Sequence, residues 1–393
     1  MMFYKGKHWI SEESIEIKVE NGTISSIQKT EEECKHWIAP GLIDIQVNGI
    51  GGYDLNGFET TEETVLNVVK ELHKVGVTQF CPTVVTGTRE RMLHCIKVIS
   101  KAYETYPLVK KSVIGIHVEG PYISEEDGPR GAHNKEWVRD PDIEELNDWL
   151  TISNNLICKV TLAPEKTGSI EFIKALYELG IVAAIGHCNA TEDDIQKAVE
   201  AGATMSTHLG NGAHPSIKRH PNYIWSQLAE DNLWAGIIAD GHHLPKSVLK
   251  VMIRTKGKKA IITSDAVSLA GMPPGNYKTN INRDVVLQEN GLLHLANTPD
   301  ILAGSAVPLN RGVENLVKMG ICDLKNAILM ASHHPAQLFG LDKDGTGSLR
   351  VNSPANFIIF SNENNNFKIV KTISNGEIVY EINKSKGGSY GAS

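Results

Sequence analysis

The stretch from Ile181 to His208 restricts the fold more than any other part of the chain. It reads Ile-Val-Ala-Ala-Ile-Gly-His187, then Cys-Asn-Ala-Thr191, a helix-like run to Ala201-Gly202, and finally Ala-Thr-Met-Ser-Thr-His208. This is a strand ending in histidine, a short helix, and a second strand ending in histidine. A right-handed crossover makes two such strands parallel and commonly neighbours. Neighbouring strands lie ~4.8 Å apart, so imidazoles at both C-terminal ends can reach one metal through bonds of ~2.1 Å. The chain has 15 histidines, and any one of them alone is better read as packing. A pair at matched strand ends, each followed by a loop rich in Asn, Gly or Thr, points instead to shared ligation.

The same unit recurs. Strand-like runs fall at 41–48, 76–83, 112–119, 156–163, 181–187, 203–208, 233–240 and 260–265. Helical periodicity is expected at 61–75, 89–105, 168–179, 191–201, 245–254, 306–318 and 323–339. Eight β/α units over ~250–300 residues predict an α/β fold, a (β/α)8 TIM-like barrel. The alternative, a doubly wound sheet, usually carries a Gly-rich phosphate loop after its first strand; Gly49-Ile-Gly-Gly52 is a weak match. Both ends of the chain read as short strands with Asn21-Gly22 and Asn375-Gly376 hairpin turns. Neither end has enough apolar surface to stand alone. The expected organisation is a small β-sandwich domain from 1–39 and 342–384, a barrel over 40–341, and a flexible tail at 385–393.

Composition narrows the partners. Apolar residues make up 41% of the 393 residues and charged residues 22%, which suits a soluble enzyme with a sizeable core. The net charge of −7 is spread along the chain and argues against nucleic acid or a membrane surface as the main partner. The six cysteines are scattered without CxxC spacing, as in a cytosolic protein. The first residues lack the apolar core of a signal peptide, and no run is long enough to span a membrane. The expected location is the cytoplasm.

In a barrel the chemistry gathers at the C-terminal ends of strands. Here those ends carry Glu119, His187, His208, Asp240 with His242-His243, and Asp265. Two histidines and one carboxylate, with a place left for water, form the ligand set of catalytic zinc sites. His117 shares the inward face with Glu119 and reads as barrel filler or support rather than as a ligand. Asp265 can cap a following turn; beside a metal it is the natural general base. His133 on the Gly128–Asn134 loop and Arg219 beside Lys218 and His220 read, taken alone, as solvated groups.

With these residues in view, the sequence resembles the amidohydrolase superfamily, and within it the N-acetylglucosamine-6-phosphate deacetylases. The matching runs are Ala-Pro-Gly41-Leu-Ile-Asp44-Ile-Gln-Val-Asn48, Gly115-Ile-His-Val-Glu119-Gly-Pro121, Leu-Ala-Pro164-Glu165, Gly186-His187, Thr207-His208-Leu-Gly-Asn211, Ala-Asp240-Gly-His-His243, Thr-Ser-Asp265-Ala and Leu302-Ala-Gly304-Ser305. They cover nearly the whole chain. The resemblance implies Glu119, His187 and His208 as metal ligands and Asp265 as the catalytic carboxylate. It implies that His133 contacts the substrate near its scissile amide. Asn211, Gly212, Arg219, His243 and Ala303 are then substrate-binding, with Arg219 free to come from a second subunit of a homodimer.

One departure is informative. Most amidohydrolases carry His-x-His at the end of the first strand, which supports a second metal; here the positions are Gln46 and Asn48. A carboxamide is a poor ligand for a transition metal. The resemblance is therefore to the one-metal branch: one divalent ion per subunit, with Zn2+ first and Fe2+, Mn2+ or Co2+ as alternatives. The implied reaction removes acetate from a phosphorylated amino sugar in amino-sugar catabolism. Two rival readings remain: an amidohydrolase acting on another N-acyl substrate, such as an acylated amino acid or the galactosamine epimer, and a barrel that serves only as a scaffold.

Overall fold

The two histidine-bearing strands are joined by a helix, Glu192–Glu200, whose start is written into its sequence. Thr191 accepts from the Asp194 backbone N–H while the Asp194 carboxylate accepts from Thr191 N at 2.8 Å. This reciprocal cap stabilises the first turn by about 1 kcal/mol. Ile195 and Ala198, three apart, form the buried stripe that lays the helix against the barrel wall. Burying the isoleucine contributes ~1.5–3 kcal/mol. The crossover therefore has one way to pack, and it brings its flanking strands side by side.

A computed structural model describes residues 1–278 and 284–382. Its centre is an eight-stranded parallel sheet: β1 (Leu42–Val47), β2 (Val77–Val85), β3 (Ile116–Glu119), β4 (Ile157–Leu162), β5 (Val182–Ile185), β6 (Ala203–Ser206), β7 (Trp234–Ile238) and β8 (Ala260–Thr263). Each strand pairs with the next in sequence order. A parallel bridge between Val47 and Ala266, just past β8, brings the first and last strands together. The result is the expected TIM-like barrel. All eight sequence-predicted strands are present, with β3 shorter than the expected 112–119 because Pro107–Ser112 is helical.

Polar groups are buried among the barrel strands beside apolar Ile43, Ile45, Ala184 and Ile261. Lys159 is buried and donates to the Ile45 carbonyl at 3.0 Å. His117 bonds Thr83 at 3.2 Å and Thr161 at 2.7 Å, so it fills the barrel as its inward position predicts. Burial pushes it well below its usual range, so it is neutral. These groups form a satisfied polar floor beneath the strand ends.

Strands from both ends of the chain meet in one seven-stranded sheet. The N-terminal Met2–His8, Ser14–Glu20, Thr23–Lys29 and Trp37–Pro40 join the C-terminal Phe357–Glu363, Asn366–Ser374 and Glu377–Glu381. Trp37–Pro40 lies between the two groups and pairs with both. One face closes on its own core of Tyr4, Ile17, Ile24, Ile38, Phe357 and Ile373. Ile358, Phe360, Phe367 and Ile369, on the other face, join the core of the barrel.

Besides a short helix, Tyr223–Ala229, and a small hairpin of Gly49–Ile50 with Tyr53–Asp54, three larger features depart from the sequence-based expectation. The helix expected at 323–339 is two, Leu324–Met330 and His333–Leu338, interrupted at Ser332. The crossover from β3 to β4 contains an unexpected helix, Ile143–Ser153, whose buried face holds Glu145, Leu146, Trp149 and Ser153. A four-stranded antiparallel sheet, Gly275–Lys278, Asp284–Leu287, Leu293–Leu295 and Thr298–Leu302, is inserted after β8. Its few apolar residues, among them Val285, Leu287 and Leu293, pack on Leu269 and Ala306. The tail expected at 385–393 lies outside the described residues.

Candidate metal centre and active site

In the β5–β6 register Ile185 stands opposite Ser206. His187 and His208 each follow by two residues, and their Nε2 atoms come within 3.0 Å. Glu119, the last residue of β3, places Oε1 3.3 Å from His187 Nε2 and 3.0 Å from His208 Nε2. All three are buried, at 3%, 7% and 3% exposure for Glu119, His187 and His208. Ligand atoms tetrahedrally placed at ~2.1 Å from a metal lie ~3.4 Å apart, close to the spacing seen here. His187 Nδ1–H donates to the Pro129 carbonyl at 2.8 Å, which fixes the ring and turns Nε2 toward the carboxylate. Three atoms of metal-ligand type converge in a buried place that suits a cation. Burial alone would raise Glu119; the two imidazoles outweigh it and hold its carboxyl well below the usual range.

His133 adds a fourth group. Its Nε2 is 3.4 Å from His187 Nε2, and Glu119, His133 and His187 offer ligand atoms within 4.8 Å of one another. The tighter trio of Glu119, His187 and His208 matches the ligand spacing better, since every distance within it is 3.0–3.3 Å. Burial, and next the neighbouring His187, push His133 down to about 3. It is a neutral ring with one N–H to offer.

Backbone conformation singles out the same residues. His187, His208 and Asp265 have φ of +52°, +26° and +49°. Apart from Glu12, the other non-glycine residues with positive φ among those described are all asparagines, the type that best tolerates that region. Such a conformation costs ~1–3 kcal/mol per residue and persists where surrounding contacts enforce it. Three strained turns at or just past three strand ends carry three of the candidate site residues.

Asp265 lies beside the trio rather than capping a helix. Its Oδ1 accepts from Asn48 Nδ2 at 2.8 Å and from Gln46 Nε2 at 3.0 Å. Gln46 Nε2 also donates to Glu119 Oε1 at 2.7 Å. A carboxylate only accepts, so both amides must present their nitrogens. The sequence marks Gln46 and Asn48 as missing ligands; the structure gives both a positive role as donors, Gln46 bridging the two carboxylates and Asn48 holding Asp265 alone. Burial and then the Glu119 charge push Asp265 up to about 6.

The expected substrate contacts are placed unequally. Gly212 lies against His187: a Cβ there would meet the ring Nδ1 at 2.7 Å, and its φ is +55°. Gly212→Ala is thus expected to displace His187 and weaken metal retention, measurable by chelator competition. Asn211 is tied to the His208 carbonyl through its backbone N–H at 2.9 Å. His243 Nδ1 sits 2.6 Å from Asp240 Oδ2, which fixes the ring orientation. His242 turns away to the inserted sheet and bonds the Asn290 carbonyl at 3.1 Å. Ala303 follows the inserted strand Thr298–Leu302. Arg219 is exposed on the loop after β6, and its side chain pairs with no acid among the described residues. The structure does not bring it to the other site residues within this chain.

The six cysteines are all free thiols. No helix among the described residues is long and apolar enough to cross a membrane.

Comparison with known proteins agrees with this geometry. The sequence profile of the amidohydrolase family matches residues 37–379. The N-acetylglucosamine-6-phosphate deacetylase of Vibrio furnissii is 31% identical over 390 residues, covering 96% of this chain and 93% of that protein. The human enzyme of the same name is 32% identical over 365 residues, covering 89% and 85%. The crystal structure of the Pasteurella multocida N-acetylglucosamine-6-phosphate deacetylase superimposes with a TM-score of 0.84 at 28% identity, covering 96% and 99%. The chain belongs to the amidohydrolase family, on the branch of the N-acetylglucosamine-6-phosphate deacetylases.

Proposed function

We propose that this chain hydrolyses the acetamide of N-acetylglucosamine-6-phosphate, giving acetate and glucosamine-6-phosphate. The carrying observation is the conjunction of a buried Glu119–His187–His208 trio with Asp265 held beside it by Gln46 and Asn48. We assign the trio as ligands of one divalent ion, Zn2+ in the first instance. When bound, the ion lowers the pKa of a water and polarises the acetamide carbonyl. Asp265 accepts a proton from the attacking water and returns it to the leaving nitrogen as the C–N bond breaks. His133 donates its N–H to the carbonyl oxygen as negative charge develops there. Asn211, Gly212, His243 and Ala303 line the sugar, and Arg219 meets the phosphate. The same reading carries a cytoplasmic homodimer, with the small β domain taken as 1–39 and 342–384 and the barrel as 40–341.

Acetate release is the test, with N-acetylglucosamine-6-phosphate compared with its galactosamine epimer and the unphosphorylated sugar. The glucosamine phosphate should be the best substrate, and purified protein should carry close to one divalent metal per chain. No release from any of the three sugars, with metal bound, would sink the proposal.

The pH profile supplies a further check. A base works only when ionised, so kcat/KM should be lost as pH falls through the pKa of Asp265. That value is raised to about 6 by burial and Glu119, and a bound cation draws it lower. The acid limb should therefore fall at or below pH 6. Asn48 Nδ2 favours the ionised form, so Asn48→Ala should move the limb upward by about one pH unit. A limb that stays in place would show that this contact does not tune the base.

A further inference from the structure

We infer that Glu165 is a positioning residue for the metal centre, fixing the left-handed bend that aims His187; the inference rests on the metal reading above. Glu165 lies three residues past the end of β4, at the catalytic face. Its Oε1 accepts from the backbone N–H of Asn189 at 2.5 Å. Its Oε2 is buried and has no hydrogen-bond partner. Burial pushes its carboxyl up to about 7, and the charges of Asp194 and Glu126 add to the rise. No cation pairs with it among the described residues. Packing alone gives no reason to keep such a group, since an apolar side chain would sit there at lower cost.

What the carboxylate does hold is the turn. His187 has φ +52°, and three contacts enforce it. Its carbonyl accepts from Ser124 N at 2.9 Å, and its ring donates to the Pro129 carbonyl at 2.8 Å. Both partners belong to the loop that carries His133. The third contact, Glu165 to Asn189 two residues beyond His187, ties the bend to the turn that closes β4. The Asn189 side chain donates to Glu126 at 2.8 Å, again on the loop. Glu165 thus adds, beyond the bond from Gly186 N to the Leu162 carbonyl at 3.1 Å, a second link from the end of β4 to the strained histidine, placed on its far side. Partners that orient a metal-binding histidine typically control 10–100-fold in metal affinity.

The test compares Glu165→Ala, which removes the acceptor, with Glu165→Gln, which keeps a carbonyl in the same place. Zn2+ affinity is read by competition with a chromophoric chelator, and melting of the metal-free proteins is followed alongside. Glu165→Ala should bind Zn2+ about 10–100-fold more weakly, and its lost turnover should return at saturating Zn2+. Glu165→Gln should stay within about threefold of the unaltered protein. If the alanine variant does not fold, Glu165→Asp, one methylene shorter, should show the same loosening in milder form. Unchanged Zn2+ affinity in the alanine or aspartate variant, or equal losses in the alanine and glutamine variants, would overturn the inference. No substrate enters this measurement, so a protein that binds Zn2+ but deacetylates nothing leaves it standing. An unaltered protein that takes up no metal overturns both.

Discussion

Asp265→Asn should lower turnover by at least ~10²–10⁴-fold, the usual contribution of a general acid–base group, with the metal still bound. The substitution preserves the surroundings for a specific reason. Asp265 Oδ1 receives Asn48 Nδ2 at 2.8 Å and Gln46 Nε2 at 3.0 Å. The asparagine carbonyl can accept the same two bonds, so shape is kept while the proton acceptor is lost. The change also removes one negative charge from the surroundings of the cation, which costs some metal affinity, while Glu119, His187 and His208 keep their ligand atoms. At saturating metal, the metal content and melting temperature should therefore match the unaltered protein. A variant that turns over at near-normal rate would rule out Asp265 as the base. One that loses its metal would show that the carboxylate acts as a ligand instead.

What made this site readable in the sequence is the repetition of one local pattern. His187 and His208 each end a strand, and the short capped helix between those strands leaves a single way to pair them; their nitrogens meet at 3.0 Å. Glu119 and Asp265 follow the same rule from β3 and from the end of β8. Strand ends are set by local periodicity, so the barrel and the gathering of these side chains at one end of it were both legible. The residues that act across the barrel were harder to read. Gln46 was visible as a departure from a histidine pair, but its bond to Glu119 joins positions 73 apart in sequence. Glu165 gave no periodic signal, because its role lies in a backbone N–H and a strained φ that side-chain patterns do not encode. The inserted sheet of Gly275–Lys278, Asp284–Leu287, Leu293–Leu295 and Thr298–Leu302 was missed because its strands are three to five residues long, too short to show a period. The helix Ile143–Ser153 was harder to read because its buried face mixes apolar Leu146 and Trp149 with polar Glu145 and Ser153, which blurs the helical period.

Arg219→Ala should reduce kcat/KM for the phosphorylated sugar by ~10–150-fold, the value of one charge-assisted contact at 1.5–3 kcal/mol. A sugar phosphate carries close to two negative charges, and a chain of net charge −7 must collect it with local donors. Arg219 offers a planar fork matched to phosphate oxygens. Its loop is braced: Asn222 Nδ2 donates to the carbonyls of Lys218 and Arg219 at 3.0 and 3.2 Å, which leaves the guanidinium exposed and uncommitted. The unphosphorylated sugar should lose little by comparison. Equal losses on both substrates, or none, would remove Arg219 as the phosphate anchor. Its exposure also makes the source subunit testable. Mixing Arg219→Ala chains with Asp265→Asn chains creates hybrids in which one site keeps its own Asp265 and faces an intact Arg219 on the partner. If the arginine acts across subunits, activity on the phosphorylated sugar should rise well above that of either variant alone. If it acts within its own chain, neither site of the hybrid is complete and mixing restores nothing.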